Sequence, residues 1–304
     1  MRRAAALAVL IVTVLFAALA VPLSPVRTWL TGILGDLPIP SAAERIPSEP
    51  VTGAPLRVAV GAMISPERTY EFYADLFHLL AGRLHRPLEL KQRRTYQEVN
   101  TLILRGEVDV AWICTGAWPE LSEAAGARLL AVPMVGGKTT YNALVLAGPA
   151  AGTARSLGEL AGTRFAFTDP ISLTGCLYPK RRIASLGGDA ARFFSDTTFT
   201  GGHDRSIEAV RRGIVGGASV DSLVYDYLAR RFPEEVEGVR VLETSPPFPI
   251  PPLVVPSSTP EGLSTVLRRE LLALGRDPGG RKLLDALLVD GFSPPDLAAY
   301  ERLR

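Results

Sequence analysis

The chain is poor in the residues that build metal centres. Its 304 residues include two cysteines, Cys114 and Cys176, and three histidines, His78, His85 and His203, with no Cys/His cluster among them. That argues against a structural zinc site, and nothing in the sequence calls for a cofactor. Charge of one sign never accumulates either. The longest like-charge run is Lys180-Arg181-Arg182 and the formal net charge is +2, so nucleic-acid binding has no electrostatic support. A Gly-x-Ser-x-Gly nucleophile elbow is missing, which weakens any hydrolase reading. What is present, 47% hydrophobic and 21% charged residues, is the balance of a folded globular chain.

Residues 1–23 carry the one long apolar run. Arg2 and Arg3 precede an uncharged stretch from Ala4 to Leu23, the layout of an export signal, with Ala18-Leu19-Ala20 offering small residues for cleavage. The run is also close to the ~20 residues that span a bilayer, so a retained membrane anchor stands beside a cleaved signal peptide. Either way the body is expected to be exported, to the periplasm or the outer face of the cytoplasmic membrane. No cysteine lies near the run, so a lipid anchor is not expected. Residues 24–55 read as a linker, stiffened by Pro38, Pro40, Pro47, Pro50 and Pro55.

From residue 56 the pattern alternates between strand and helix. Leu56 to Val60 alternates as a strand, Ser65 and Pro66 open a helix, Leu88 to Leu90 is a strand, and Tyr96 to Arg105 is a helix. Val108 to Ile113 is an apolar strand of the kind buried on both faces. After a crossover near 141–148 the alternation restarts. It gives a helix at 156–160, strands at 164–168 and 197–199, helices from about 175 and at 206–212 and 222–231, and a proline-broken return near 249–255. The expected fold is α/β: two doubly wound lobes joined by a two-strand hinge, with 56–142 and 250–304 in lobe I and 143–249 in lobe II. In such sheets ligands sit beyond the carboxyl ends of strands. Cys114 to Trp118, including Thr115, is one such segment in lobe I.

Three segments of lobe II carry the chemistry. Asp169-Pro170-Ile171-Ser172-Leu173-Thr174-Gly175 follows a strand and opens a helix. Ser172 and Thr174 offer hydroxyls, Gly175 admits close approach, and the helix start favours an anion. The plainer role of either hydroxyl is an N-cap, and no Gly-Lys-Ser/Thr follows to make a nucleotide loop. Thr200-Gly201-Gly202-His203-Asp204 is a tight turn in which His203 can donate to an oxyanion and Asp204 can cap the helix or accept from a ligand. A buried histidine that only satisfies a backbone group is the alternative. Asp221, before the helix at 222, is either an N-cap or an acceptor for a protonated oxygen or an amine.

These segments, in this order, resemble the phosphate/phosphite/phosphonate-binding family of ABC-importer substrate-binding proteins. The resemblance rests on Ser172-Leu173-Thr174-Gly175 with Pro179, Gly202-His203-Asp204 with Ala209-Val210, and Gly217-Ala218 with Asp221. Ser245-Pro246 through Pro251 and the tail residues Phe292 and Tyr300 extend it over 56–304. One turn departs: Trp118 stands where the family has a tyrosine. The resemblance implies the type II periplasmic-binding fold, closure over a tetrahedral oxyanion, and a membrane permease as partner, with no catalysis. It also implies a first-lobe aromatic at the site, for which Tyr70 is the candidate. A monomer is expected. A membrane-anchored sensor of the same fold is the alternative, with an exported hydrolase built on Ser172, His203 and Asp204 a distant third.

Overall fold

The computed structural model describes residues 53–61 and 66–303. The apolar run at 4–23 and nearly all of the linker lie outside the described residues. No helix among the described residues is long and apolar enough to cross a membrane.

Two sheets organise the chain. The first contains β1 (Leu56–Val60), β2 (Leu88–Gln92), β3 (Val110–Trp112), β4 (Arg128–Met134), β12 (Leu253–Val255) and β13 (Gly291–Ser293), in the order β13-β4-β12-β3-β1-β2. The second contains β6 (Ala143–Ala147), β7 (Arg164–Phe167), β8 (Asp196–Phe199), β9 (Gly217–Asp221) and β10 (Arg240–Thr244), in the order β10-β6-β9-β7-β8. The two share one plan. Three parallel strands, β2-β1-β3 and β8-β7-β9, are followed by an antiparallel neighbour, β12 or β6. In each case that neighbour is the first strand after the chain crosses from the other sheet. The two crossings pair with each other as an antiparallel ribbon of β5 (Thr140–Tyr141) and β11 (Phe248–Pro249). This is the hinge, and the fold is two doubly wound α/β lobes.

Period-2 alternation sends successive strand residues to opposite faces. In lobe I, Val58, Val60 and Trp112 pack on one face against Leu76, Phe77 and Leu80 of α1 (Pro66–Arg83). Ala59, Ala111 and Ile113 pack on the other against Val99 and Ile103 of α2 (Tyr96–Leu104) and Leu121 of α3 (Trp118–Ala124). Lobe II repeats this. Ala166, Ala218 and Val220 meet Ile207 and Val210 of α4 (His203–Arg211), and Leu228 of α5 (Ser222–Arg231). Phe165 and Phe167 meet Ile183 of α6 (Tyr178–Ser185). Helices on both faces leave only the carboxyl edges of the strands open to a ligand.

Three elements differ from the sequence reading. The helix expected at 156–160 is a single short turn, Gly158–Leu160. The helix expected from about 175 begins at Tyr178, after a wide turn described below. The crossover expected near 141–148 divides after Tyr141, where Asn142 turns out of the hinge ribbon and gives its side-chain amide to Ser245 O at 2.7 Å, before the strand Ala143–Ala147.

Phe165 is fully buried and stacks on Phe194 with ring centroids 4.1 Å apart. Phe165→Ala is therefore expected to cost about 3–5 kcal/mol. Urea unfolding followed by circular dichroism should show a lower midpoint.

Candidate functional site

Four contacts shape the loop after β7. Ser172 Oγ accepts from Gly175 N at 3.0 Å, so the hydroxyl caps the turn while its proton remains available to donate. Leu177 N donates to Ser172 O at 2.9 Å, a five-residue span that widens the first turn before α6. Such widened turns gather at functional sites. Ser219 of β9 donates to Thr174 O at 2.6 Å and holds the loop from the next strand. A Cβ on Gly175 would lie 2.5 Å from Thr168 Oγ1, so only glycine fits. Ser172 and Thr174 are both buried.

His203 opens α4, and its tautomer follows from its partners. Asp221 N, which can only donate, points at His203 Nδ1 at 3.1 Å. Nδ1 is therefore the acceptor, and in the neutral ring the proton sits on Nε2. Thr168 Oγ1, 3.1 Å from Nδ1, donates to the same nitrogen. Burial pushes the His203 pKa down to about 3, so the ring is neutral at physiological pH. It presents one N–H donor, at Nε2. Asp204 is buried in the first turn of α4, where its charge suits the helix dipole.

Asp221 caps α5, with Oδ1 accepting from Leu223 N at 2.7 Å. The N-cap reading and a place in the cleft are both satisfied. The carboxyl is buried, lines an interlobe cavity of about 120 Å³ with Tyr73 and Trp112, and is pushed up to about 7 by desolvation. It can hold or accept a proton near neutrality.

Lobe I meets this loop closely. Asp169 Oδ2 accepts from Tyr96 N, the first N–H of α2, at 3.1 Å, while Oδ1 accepts from Ile171 N at 3.0 Å. A carboxylate on one lobe thus serves the helix start of the other. Cys114 Sγ lies 4.0 Å from Ile171 O, and burial pushes this thiol up to about 12, so it stays protonated. Both cysteines are unpaired and buried. A Cβ on Gly116 would meet Ile171 O at 2.2 Å, so the lobes touch there backbone to backbone.

Tyr96 is the residue that sequence reasoning missed. It is buried, and its hydroxyl has no hydrogen-bond partner. Burial holds its pKa well above the usual phenol range, with Cys114, Asp169, Asp221 and Tyr141 contributing nearby. It therefore sits between the lobes as an uncommitted donor. The sequence signal was the capping box: Thr95 accepts from Glu98 N at 3.2 Å, which puts Tyr96 at the first position of a helix that follows a strand.

Two expected site residues have other work. Thr115 is buried, but its hydroxyl donates to Pro249 O of the hinge at 3.0 Å and contacts Tyr141, leaving no proton for a ligand. Trp118 packs in a core cluster of lobe I against Tyr300, ring centroids 6.1 Å apart, with its indole N–H unpartnered. It is a core residue because the turn at Thr115–Ala117 directs residue 118 into α3. The side chain of Tyr70 lies outside the described residues. Ser172, Thr174, Gly175, His203, Asp204 and Asp221 all stand at the carboxyl edge of lobe II.

A hinged pair of α/β lobes facing each other across such an edge defines a solute-binding protein. The chain belongs to the family of periplasmic substrate-binding proteins of phosphonate ABC transporters, whose model it matches over residues 58–300. The fold is shared with a binding protein of an ABC phosphonate transporter from Pseudomonas aeruginosa, at a TM-score of 0.76 and 20% identity over 83% of this chain and 84% of that one. It is shared too with PhnD1 from Prochlorococcus marinus, solved with methylphosphonate, at 0.75 and 16% over 84% and 96%. A Xanthomonas citri protein, solved with ATP bound, gives 0.62 and 19% over 83% and 94%. The chain is therefore a substrate-binding component of an ABC transporter, and it is not an enzyme.

The two buried groups predict opposed pH slopes. Asp221, raised to about 7, destabilises the fold as pH rises from about 4 to 7, because the folded state resists losing the proton. His203, lowered to about 3, destabilises it as pH falls from about 6.5 to 3, because only the unfolded state takes the proton. Asp221→Asn keeps a capping side chain and removes the first effect. Its unfolding free energy, measured by denaturant titration, should fall more steeply than the parent's on acidification from pH 7 to 4.

Proposed function

We propose that the chain captures a phosphorus oxyanion, a phosphonate, phosphite or phosphate, in the interlobe cleft and passes it to an ABC-importer permease. The observation that carries this is the buried Tyr96 hydroxyl with no partner. A buried polar group left unsatisfied costs about 1–3 kcal/mol, and an anion oxygen placed there removes that cost. Ser172 and Thr174 hydroxyls and His203 Nε2–H supply donors from the opposite lobe. All are neutral, so they replace water around the anion with little rearrangement. Asp221 is the acceptor in the set. It takes a protonated ligand oxygen, or the amine of an aminophosphonate, and its raised pKa lets it share a proton with the ligand.

The hinge ribbon and the contact at Gly116 make closure part of binding. The N-terminal run supports export, with the body acting outside the cytoplasmic membrane, either released or tethered through 24–55.

Thr174→Val, His203→Ala and Tyr96→Phe should each weaken methylphosphonate binding by roughly 1–3 kcal/mol, since each deletes a donor to a buried acceptor. Isothermal calorimetry measures this, and unchanged affinity in all three would rule the site out. Gly116→Ala tests closure separately. Its Cβ would meet Ile171 O at 2.2 Å, so under saturating ligand small-angle scattering should give a larger radius of gyration than the parent, with the unfolding midpoint little changed.

A further inference from the structure

The cleft has a second chamber that a small oxyanion leaves unused. At the rim farthest from the hinge, where the edge strands β2 and β8 end, a recess of about 630 Å³ opens between the lobes. Arg93 and Arg94 line it from lobe I and Arg205 from lobe II, and among the described residues Asp169 is the one carboxylate in the lining. Both oxygens of Asp169 already accept backbone N–H groups. The floor includes Thr168 and Thr200. Thr168 also contacts His203 Nδ1 and abuts Gly175, so this one residue stands between the recess and the oxyanion loop.

A water occupies roughly 30 Å³ of liquid, so a recess of this size holds far more than one oxyanion needs. The guanidiniums come from both lobes. A ligand group in this space is therefore within reach of guanidiniums from both lobes at once. Among the described residues the inner site holds no comparable cation: its side-chain donors there are hydroxyls and one neutral imidazole.

We propose that this recess is a second anion subsite, and that the preferred ligands are two-headed: a phosphonate or phosphate group on the Ser172–Gly175 loop and a second anionic group, carboxylate or phosphoryl, between Arg94 and Arg205. The proposal rests on the oxyanion reading of the inner site. It narrows the ligand class from simple alkylphosphonates to carboxylated or bis-phosphorylated ones. Arginine suits the role because its planar fork meets either oxyanion with two parallel hydrogen bonds.

The test compares ligands of matched length by calorimetry: 3-phosphonopropionate and ethylene-1,2-diphosphonate against propylphosphonate, with methylphosphonate as the probe of the inner site alone. The two-headed ligands should bind at least tenfold more tightly than propylphosphonate, and the advantage should shrink as salt is raised. The arm that gains more identifies the second group as carboxylate or phosphoryl. Arg94→Gln, and Arg94→Gln with Arg205→Gln, should abolish the advantage while methylphosphonate affinity stays at the parent value. Equal binding of propylphosphonate and both two-headed ligands overturns the subsite, as does an advantage that survives in the double variant. Failure of every phosphonate, methylphosphonate included, overturns the inner site and the subsite with it.

Discussion

The arrangement depends on one contact between lobes. Asp169 leaves the end of β7 in lobe II and takes the first N–H of α2 in lobe I. Everything around it follows from that approach. Gly116 must be glycine because Ile171 O comes within 2.2 Å of where a Cβ would stand. Cys114 is sealed against the same stretch of backbone. Tyr96 is carried to the interface because it is the residue whose N–H Asp169 accepts. The buried hydroxyl of Tyr96 is thus held at the boundary between the lobes, beside the backbone that leads into the Ser172–Gly175 loop.

The electrostatics divide by depth. Inside, His203 and Asp221 sit one hydrogen bond apart, the backbone N–H of Asp221 pointing at the ring of His203. Burial makes both neutral forms favoured, one as a donor and the other as a proton-sharing acceptor. Desolvation that would be costly around charged groups is tolerable around these, and the incoming ligand brings the charge. At the rim the order is reversed: the charges belong to the protein, and Arg94 and Arg205 are exposed to solvent.

Much of this was legible in the sequence. The alternation of strands and helices, the two crossovers and the three loop segments of lobe II are local patterns, and Ser172, Thr174, His203 and Asp221 stand where those patterns put them. The losses have physical causes. β4 contains Pro133, which reads as a breaker, yet it pairs with β12 and with β13, where Phe292 faces Pro133 in the register. β10 is largely exposed and shows no apolar alternation, so only its antiparallel pairing with β6 makes it a strand. Thr115 looked like a donor because its segment follows a strand, but which carbonyl lies within reach of a hydroxyl is decided by the return crossover 134 residues later. Tyr96 was hidden for the opposite reason. Its spacing fits an ordinary buried helix position, and beyond the capping box it is the missing partner of its hydroxyl that makes it a candidate.

The topology confines bending between the lobes to one short ribbon. Each sheet accepts, as its fourth strand, the segment that has just crossed from the other lobe: β6 beside β9, and β12 beside β3. Strand pairing thus anchors both ends of each crossing within a lobe, and bending is left to the β5–β11 ribbon. Thr115 ties lobe I to that ribbon through Pro249, and Ser245 ties lobe II to the base of β6 through Ala143 N at 2.8 Å. A rotation confined to so short a ribbon moves the strand ends farthest from it the most. Those are β2 and β8, where the arginines stand. On the proposed reading, an anionic group held between Arg94 and Arg205 acts where the lobes travel farthest, while the inner donors set which head group the closed cleft accepts.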